Sequence, residues 1–245
     1  VILTDKTGTL TRNQLTLDTV ELINRKIGRD ERSDAIDDHA FAQFYRISVF
    51  CNDAKDTDGG FTGDPLDVAL MEFTHRYDEK KFSGLRSLPR NNEDPFDSDS
   101  MFMGTIHELE QTYYIAGKGA TAAILGKSSH YIEGEEKKKI DDAFREKWKE
   151  KDREYSAAGL KVIGFGFLEV AKGEGKDLLQ KEEFLEDLTF VGIAGFVDPV
   201  REHISESIDT CKKAGIRVAM LTGDHPETAE HIAREVHLLE DDGRG

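Results

Sequence analysis

The sequence is short of cysteine, of positive charge and of long apolar runs, and it has no initiator methionine. Its two cysteines, Cys51 and Cys211, lie far apart, which excludes a disulfide framework and a zinc-ligand spacing and fits a reducing compartment. Lys and Arg number 33 against 49 Asp and Glu, a net charge of −16. That balance argues against nucleic acid or anionic lipid as a partner, because phosphate binding needs clustered Lys and Arg. No segment approaches the roughly 18 consecutive apolar residues of a membrane span. No signal peptide is visible, and the chain opens at Val1 inside an apolar run, as a piece cut from a longer protein would. What remains is a soluble, globular composition: 245 residues, 38% hydrophobic, enough for one large domain or two.

Along the chain the rhythm changes twice. Val1 to Leu3 is a short apolar run of the buried parallel-strand kind. A mixed, polar-rich region follows. In it, Ile36 to Cys51 reads as a helix with Ile36, Ala40, Phe44 and Ile47 on one face. Asp64 to Tyr77 reads as another, with Asp64 as cap and Pro65 in the first helical position. Met101 to His107 and Thr112 to Ala116 read as paired strands around a turn at Glu108 to Gln111. A charged helix is predicted from about Glu135 to Ala158, with Trp148 as a packing anchor, and Leu160 to Val170 as a strand. From about Leu188 the pattern becomes strand, helix, strand, helix: "LTFVGIAGFV", His203 to Ala214, "IRVAML" and Pro226 to Leu238. That alternation belongs to a parallel sheet, whose ligands gather beyond the carboxyl ends of its strands. Asp5 and Thr222-Gly223-Asp224 both sit at such ends, more than 200 residues apart. The economical arrangement is one Rossmann-like sheet split by a long insertion. No internal repeat or low-complexity linker interrupts it, and the remaining histidines lack ligand spacing.

The stretch "VILTDKTGTLT" carries the chemistry. A carboxylate at a strand end, followed by Lys6, Thr7, Gly8 and Thr9, can be an exposed nucleophile. Gly8 lets the backbone close tightly, and the turn's N–H groups and hydroxyls can hold a phosphoryl group. Attack of the carboxylate on phosphorus gives an aspartyl phosphate. Ordinary turn chemistry uses the same residue types. The complete seven-residue pattern together with a second acidic strand end favours the nucleophile.

"DKTGTLT" at Asp5 to Thr11 is identical to the phosphorylation signature of P-type cation-transporting ATPases. "GDPLDVAL" (63–70), "PFDS" (95–98), "KGA" (118–120), "DPVRE" (198–202) and "TGDHPETA" (222–229) resemble that family's other landmarks, in order. The resemblance covers essentially the whole chain. It implies an α/β fold: a haloacid-dehalogenase-like, Rossmannoid parallel sheet, partial here, interrupted by an inserted α+β nucleotide-binding domain with an antiparallel sheet. The phosphorylation domain would be discontinuous, residues 1–17 and 188–245, and the nucleotide-binding domain residues 18–187. ATP and Mg²⁺ are the implied ligands. Asp5 would be phosphorylated, with Lys6 beside it, and Asp5 and Thr7 would meet Mg²⁺. Thr222, Gly223 and Asp224 would complete the phosphate side. Asp67, Phe96, Lys118, Gly119, Lys161, Asp198 and Arg201 would form the nucleotide side, Phe96 stacking on adenine.

Phosphatases of the same superfamily resemble D-x-D, where a second acid activates water against the acyl phosphate. Thr7 occupies that place, which suits a slowly hydrolysed, signal-dependent phosphoenzyme. A phosphatase with a large cap and a non-catalytic nucleotide-binding module remain as alternatives. Departures from the family concern affinity. Met101 stands where a basic residue is usual, Glu93 to Asp99 is strongly acidic, "KGATA" replaces "KGAPE", and Lys161 replaces a common arginine, losing its planar fork. Asp67 stands where Glu is frequent. The family's later lysine and Mg²⁺-binding aspartates are missing, as are the actuator domain and the membrane helices. The resemblance therefore implies the cytoplasmic portion of an integral membrane pump, without steady ATP turnover of its own. The transported cation, calcium in the first instance, would meet only the full-length parent.

Overall fold

The computed structural model describes residues 1–29, 38–223 and 226–239. In chain order the elements are β1 (Ile2–Asp5), β2 (Thr16–Leu22), β3 (Lys26–Gly28), α1 (His39–Phe50), β4 (Lys55–Thr57), β5 (Gly60–Thr62), α2 (Pro65–Tyr77) and α3 (Glu79–Arg86). Then come β6 (Arg90–Asp97), β7 (Phe102–Glu108), β8 (Thr112–Gly119), α4 (Thr121–Lys127), β9 (Ser128–Glu133), β10 (Glu136–Lys139), α5 (Asp142–Ala157), β11 (Lys161–Ala171) and α6 (Lys172–Gly175). The chain finishes with β12 (Leu188–Val197), α7 (Ile204–Lys213), β13 (Val218–Leu221) and α8 (Pro226–Glu235).

Aspartates start most of the longer helices. Asp38 accepts from the Phe41 N–H at 3.0 Å, Asp64 from Leu66 at 2.9 Å, Asp78 from Lys81 at 2.9 Å and Asp141 from Phe144 at 2.7 Å. Each satisfies one of the amide donors that a helix start leaves open. Asp64 and Pro65 act as the sequence predicts. Ile36, expected to begin α1, lies outside the described residues.

Two sheets bear on the predicted site, and β4 and β5 form a separate antiparallel pair. The larger has nine strands in the order β10-β9-β12-β11-β8-β7-β6, with β2 and β3 attached through β12. Apart from the parallel β9–β12 pairing it is antiparallel. One face carries α1 and α2, whose Phe41, Phe44 and Phe73 pack into the main core; Phe44 meets Phe165 of β11 edge-on at 4.8 Å. A separate cluster contains Ile124 and Leu125 of α4 with Trp148 of α5, which lies against Phe190 at 5.0 Å. Trp148 is thus a packing anchor. The smaller sheet is the parallel pair β1–β13, with Asp5 opposite Leu221. Leu10, Ile208, Ile232 and Val236 form a second core for it.

The apolar run Val1 to Leu3, read from the sequence as buried, is exposed, since β1 has one neighbouring strand among the described residues. The structure corrects two further expectations. Leu188–Val197 does not join β1 in a parallel sheet; β12 runs through the middle of the large sheet, antiparallel to β11 and β2. Nine of its ten residues are buried, because a central strand covered on both faces reads in sequence like a parallel one. Its first residues pair with β9 and its later ones with β2. Gly192 stands where that change occurs, and a Cβ there would come within 2.2 Å of the Glu21 carbonyl. Second, the helix expected from Glu135 begins only at Asp142. Gly134, at φ +64°, turns β9 into β10, and exposed Lys137 to Lys139 line this edge strand. Lysines on an edge deter pairing with other chains.

One buried group makes the fold sensitive to acid. His107 on β7 is 4% exposed and stacks on Phe50, centroids 4.0 Å apart. Burial is the main cause that pushes its pKa down to about 4. Below the unfolded value near 6.5 the unfolded chain therefore binds more protons, and stability falls as the pH drops from 6.5 towards 4. This contribution should reach about 3 kcal/mol. Urea midpoints at pH 7.5, 5.5 and 4.5 should show a steep loss that His107→Phe flattens.

Candidate active site at the ends of the parallel strands

β1 delivers Asp5 to its carboxyl end, and the chain then turns through Lys6–Leu10. Gly8 adopts φ +78°, the left-handed conformation the tight turn requires. Asp5, Thr7 and Thr9 face solvent, while Lys6 and Leu10 are buried. Because β13 is parallel to β1 and Asp5 pairs with Leu221, Thr222 and Gly223 emerge beside this turn. The structure therefore brings together residues from the two ends of the chain, as the sequence predicts. Asp224 lies outside the described residues.

The turn is clamped by the segment from Asp198 to Glu202. The Thr11 hydroxyl donates to Asp198 Oδ2 at 2.5 Å. Arg201 donates from Nη2 to the Gly8 carbonyl at 2.8 Å and from its backbone N–H to the Leu10 carbonyl at 2.9 Å. Arg12 completes the clamp through Glu202 at 2.6 Å. Asp198 and Arg201 thus hold the loop that carries Asp5 and Thr7.

A cavity of 220 Å³ opens beside the clamp. Lys6, Thr7, Asp64, Gly159, Lys161, Phe196, Asp198 and Thr228 line it. α8 closes it: Thr228 donates to the Ser156 and Leu160 carbonyls, each at 3.3 Å. Gly159, at φ +84°, leaves room for His231, whose Cδ2 would lie 2.2 Å from a Cβ there. Asp198 is 8% exposed, and its Oδ1 has no hydrogen-bond partner among the described residues. A buried carboxylate oxygen without a donor is costly unless a cation or donor meets it. Among the described residues no group of three or more His, Cys, Asp or Glu could hold a metal ion. Mg²⁺ commonly takes one or two carboxylates together with phosphate oxygens and water, so Asp5 and Thr7 fit a Mg²⁺–phosphate complex better than a bare ion.

The remaining nucleotide-side residues cluster on the large sheet. Lys118 of β8 is buried and ion-paired with Asp67 of α2, also buried. The Asp67 Oδ2 accepts the Asp53 N–H at 2.8 Å, and the Asp67 carbonyl accepts from Asn52 Nδ2 at 3.0 Å. Asp97, Phe102 and Gly119 stand level across β6, β7 and β8. Phe96 precedes Asp97 within an irregular stretch of β6, and Lys118 precedes Gly119 on β8, two strands away. Phe96 is 61% exposed on the edge strand. Gly119 has a steric role: a Cβ would fall 2.4 Å from the Met101 carbonyl, which accepts from the Ala120 N–H at 2.8 Å. Met101 itself sits at φ +63°. Sequence reasoning missed Thr11, Asn52, Asp53 and Arg90. Thr11 lay inside a recognised motif; the other three gain meaning only from partners distant in sequence.

The family model described as P-type ATPase, cytoplasmic domain N, matches residues 40–203. A calcium-transporting ATPase of Bacillus cereus is 33% identical over 98% of this chain and 26% of its own length. One of Listeria monocytogenes is 33% identical over 99% of this chain and 27% of its own. The sodium/potassium-transporting ATPase subunit alpha-4 of Rattus norvegicus is 29% identical, over 97% and 25%. The chain thus spans about a quarter of the length of these relatives.

The clamp makes a direct prediction. Thr11→Val keeps the shape but leaves the buried Asp198 carboxylate without its hydroxyl donor. Removing a hydrogen bond to a charged group should cost about 1.5–3 kcal/mol. Thr11→Ser should retain most of that stability. Equal urea midpoints for the valine variant and the wild type would show that the bond does not hold the loop.

Proposed function

The chain belongs to the P-type ATPase family, and on that premise we propose that it binds ATP and forms an aspartyl phosphate within an ATP-driven cation pump. The observation that carries this reading is the register of Asp5 against Leu221, which sets a strand-end carboxylate beside Thr222 and Gly223. The names of the bacterial relatives favour calcium as the transported ion. The sheet topology supports a division in which the large sheet with its helices, from Thr16 to Val197, is the nucleotide-binding part. Residues 1–15 and the chain after Val197 then form the phosphorylation part. No helix among the described residues is long and apolar enough to cross a membrane.

In the proposed reaction an Asp5 carboxylate oxygen attacks the γ-phosphorus of ATP. A new P–O bond forms, the bond to the β–γ bridging oxygen breaks, and ADP departs with that electron pair. Thr7 and the turn N–H groups hold the transferred group's oxygens. Lys6 and Lys161, at the cavity, supply positive charge near the polyphosphate. Mg²⁺, held through Asp5 and Thr7, would neutralise phosphate charge when bound. Thr7 supplies no second carboxylate to activate water, which favours a persistent phosphoenzyme over phosphatase turnover.

Adenine is assigned to the exposed ring of Phe96, on the edge strand two strands from Lys118. Lys118 is already neutralised by Asp67, and β6 is acidic. Asp94 there is raised in pKa by partial burial and by the nearby Glu183. The triphosphate therefore gains little on this side, and the base dominates. Binding should be weak, with Kd on the order of 0.1–10 mM, and adenosine, ADP and ATP should differ slightly. Losing the aromatic stack should cost about 1–3 kcal/mol, about 5- to 100-fold in affinity. NMR titration of the three ligands into wild type and Phe96→Ala tests this. Tight ATP binding indifferent to Phe96→Ala would put the nucleotide elsewhere.

A further inference from the structure

Arg90 opens β6, the edge strand that carries Phe96. The ladder between β6 and β7 is irregular twice, between Arg90 and Asn92 and between Asp94 and Asp97. A strand with one neighbour and an interrupted ladder is weakly located by its backbone, so side chains must fix it. Arg90 makes two such contacts outside β6 and a third within it. Its Nη1 donates to Asp53 Oδ1 at 2.8 Å and to Glu93 Oε2 at 2.5 Å, and its Nη2 donates to the Asn52 carbonyl at 2.8 Å. Asn52 and Asp53 are the residues that hold Asp67, through the Asn52 amide and the Asp53 N–H. Asp67 in turn holds the buried ammonium of Lys118. A continuous chain of hydrogen bonds therefore runs from the edge strand to the buried ion pair, and one guanidinium joins its halves.

We propose that Arg90 is a positioning residue for nucleotide binding, locking the Asn52–Asp53 segment so that Asp67 holds Lys118 in place, two strands from Phe96. The proposal rests on the adenine assignment above. The chemistry calls for arginine. Its planar fork spans a carboxylate and a carbonyl on successive residues at once, whereas a lysine ammonium in that place reaches one acceptor well. Without the fork, Asp53 can swing outward and take its N–H away from Asp67 Oδ2. Lys118 then keeps only part of its compensation in a buried site, and a buried ammonium so placed moves towards water.

The test compares wild type, Arg90→Ala, Arg90→Lys and Asp53→Asn. The first readout needs no nucleotide: modification of Lys118 by an amine-reactive acylating reagent, followed by mass spectrometry. The second is ADP affinity by NMR, alone and combined with Phe96→Ala. Lys118 should be modified about tenfold faster in Arg90→Ala, as expected when about 1.4 kcal/mol of burial is lost. Arg90→Lys and Asp53→Asn should fall between that variant and wild type. ADP affinity should drop about 2- to 10-fold, and the Phe96→Ala penalty should shrink in the Arg90 background, since coupled residues are non-additive. If Arg90→Ala fails to fold, Arg90→Lys and Asp53→Asn decide the same point. Unchanged Lys118 labelling and ADP affinity, with only the melting temperature lowered, would overturn the inference and leave Arg90 a stability residue. Absence of ADP binding by the wild type would instead overturn the adenine assignment, and the labelling comparison would still decide whether Arg90 sets Lys118.

Discussion

The pairing of β2 with β12 is the constraint on which the site depends. The chain enters the large sheet on β2 and leaves it on β12, and Thr16 pairs with Val197. Whatever precedes Thr16 must then lie against whatever follows Val197. That adjacency puts the Arg12 N–H on the Pro199 carbonyl at 2.9 Å and the Thr11 hydroxyl on Asp198. It also lets β1 find β13. A loop closed across well over a hundred residues has a large entropic cost, but that cost grows only logarithmically with length. Once the sheet has formed, the cost has been met. Asp5 and Thr222 can then be distant in sequence and adjacent in space.

The same constraint explains what could be read in advance. Asp5 and Gly8 belong to one short turn, and a turn needing a left-handed glycine leaves a local mark. The α2 start at Asp64-Pro65 is equally local. β12 was legible as a strand but not as a member of its sheet. An apolar run reports only that both faces are covered, and a central strand of a mixed sheet meets that condition. β6 was not legible. "RNNEDPFD" has no β-branched residue, and Phe96 is its one aromatic, so it does not read as a typical strand. It holds its place through Arg90 and through Asn92, whose amide donates to the Lys181 carbonyl at 3.0 Å. Those partners cannot be inferred from the strand itself.

Lys118 marks the boundary of such inference. Its motif pointed to a nucleotide site, and the structure adds that its charge is already matched by Asp67. A buried ion pair contributes little net stability, because desolvating both charges offsets most of their attraction. Breaking it from one side is expensive, since the survivor is left buried and unpaired. Neighbouring groups reflect the same enclosure: burial pushes the Cys51 thiol up to about 12, so it stays protonated and unreactive. The pair is therefore better suited to defining a wall than to capturing a mobile phosphate.

In the proposed reading the phosphate is met at the cavity beside the clamp, which Lys6 and Lys161 line. Asp198 lines the same cavity, and its buried Oδ1 has no hydrogen-bond partner among the described residues. Two cations and one buried carboxylate make a site whose polarity is complementary to an anion carrying its own counter-cation, and less so to either alone. Gly159 and Thr228 set the width of that space, by letting α8 approach the turn before β11 without a Cβ in the way. In the proposed reading, the base is held by the large sheet and the phosphates are met at this cavity. Chemistry at Asp5 then depends on how closely α8 seats against β11. In that reading Gly159, with no functional group of its own, lets α8 seat there, since a Cβ would fall 2.2 Å from His231 Cδ2.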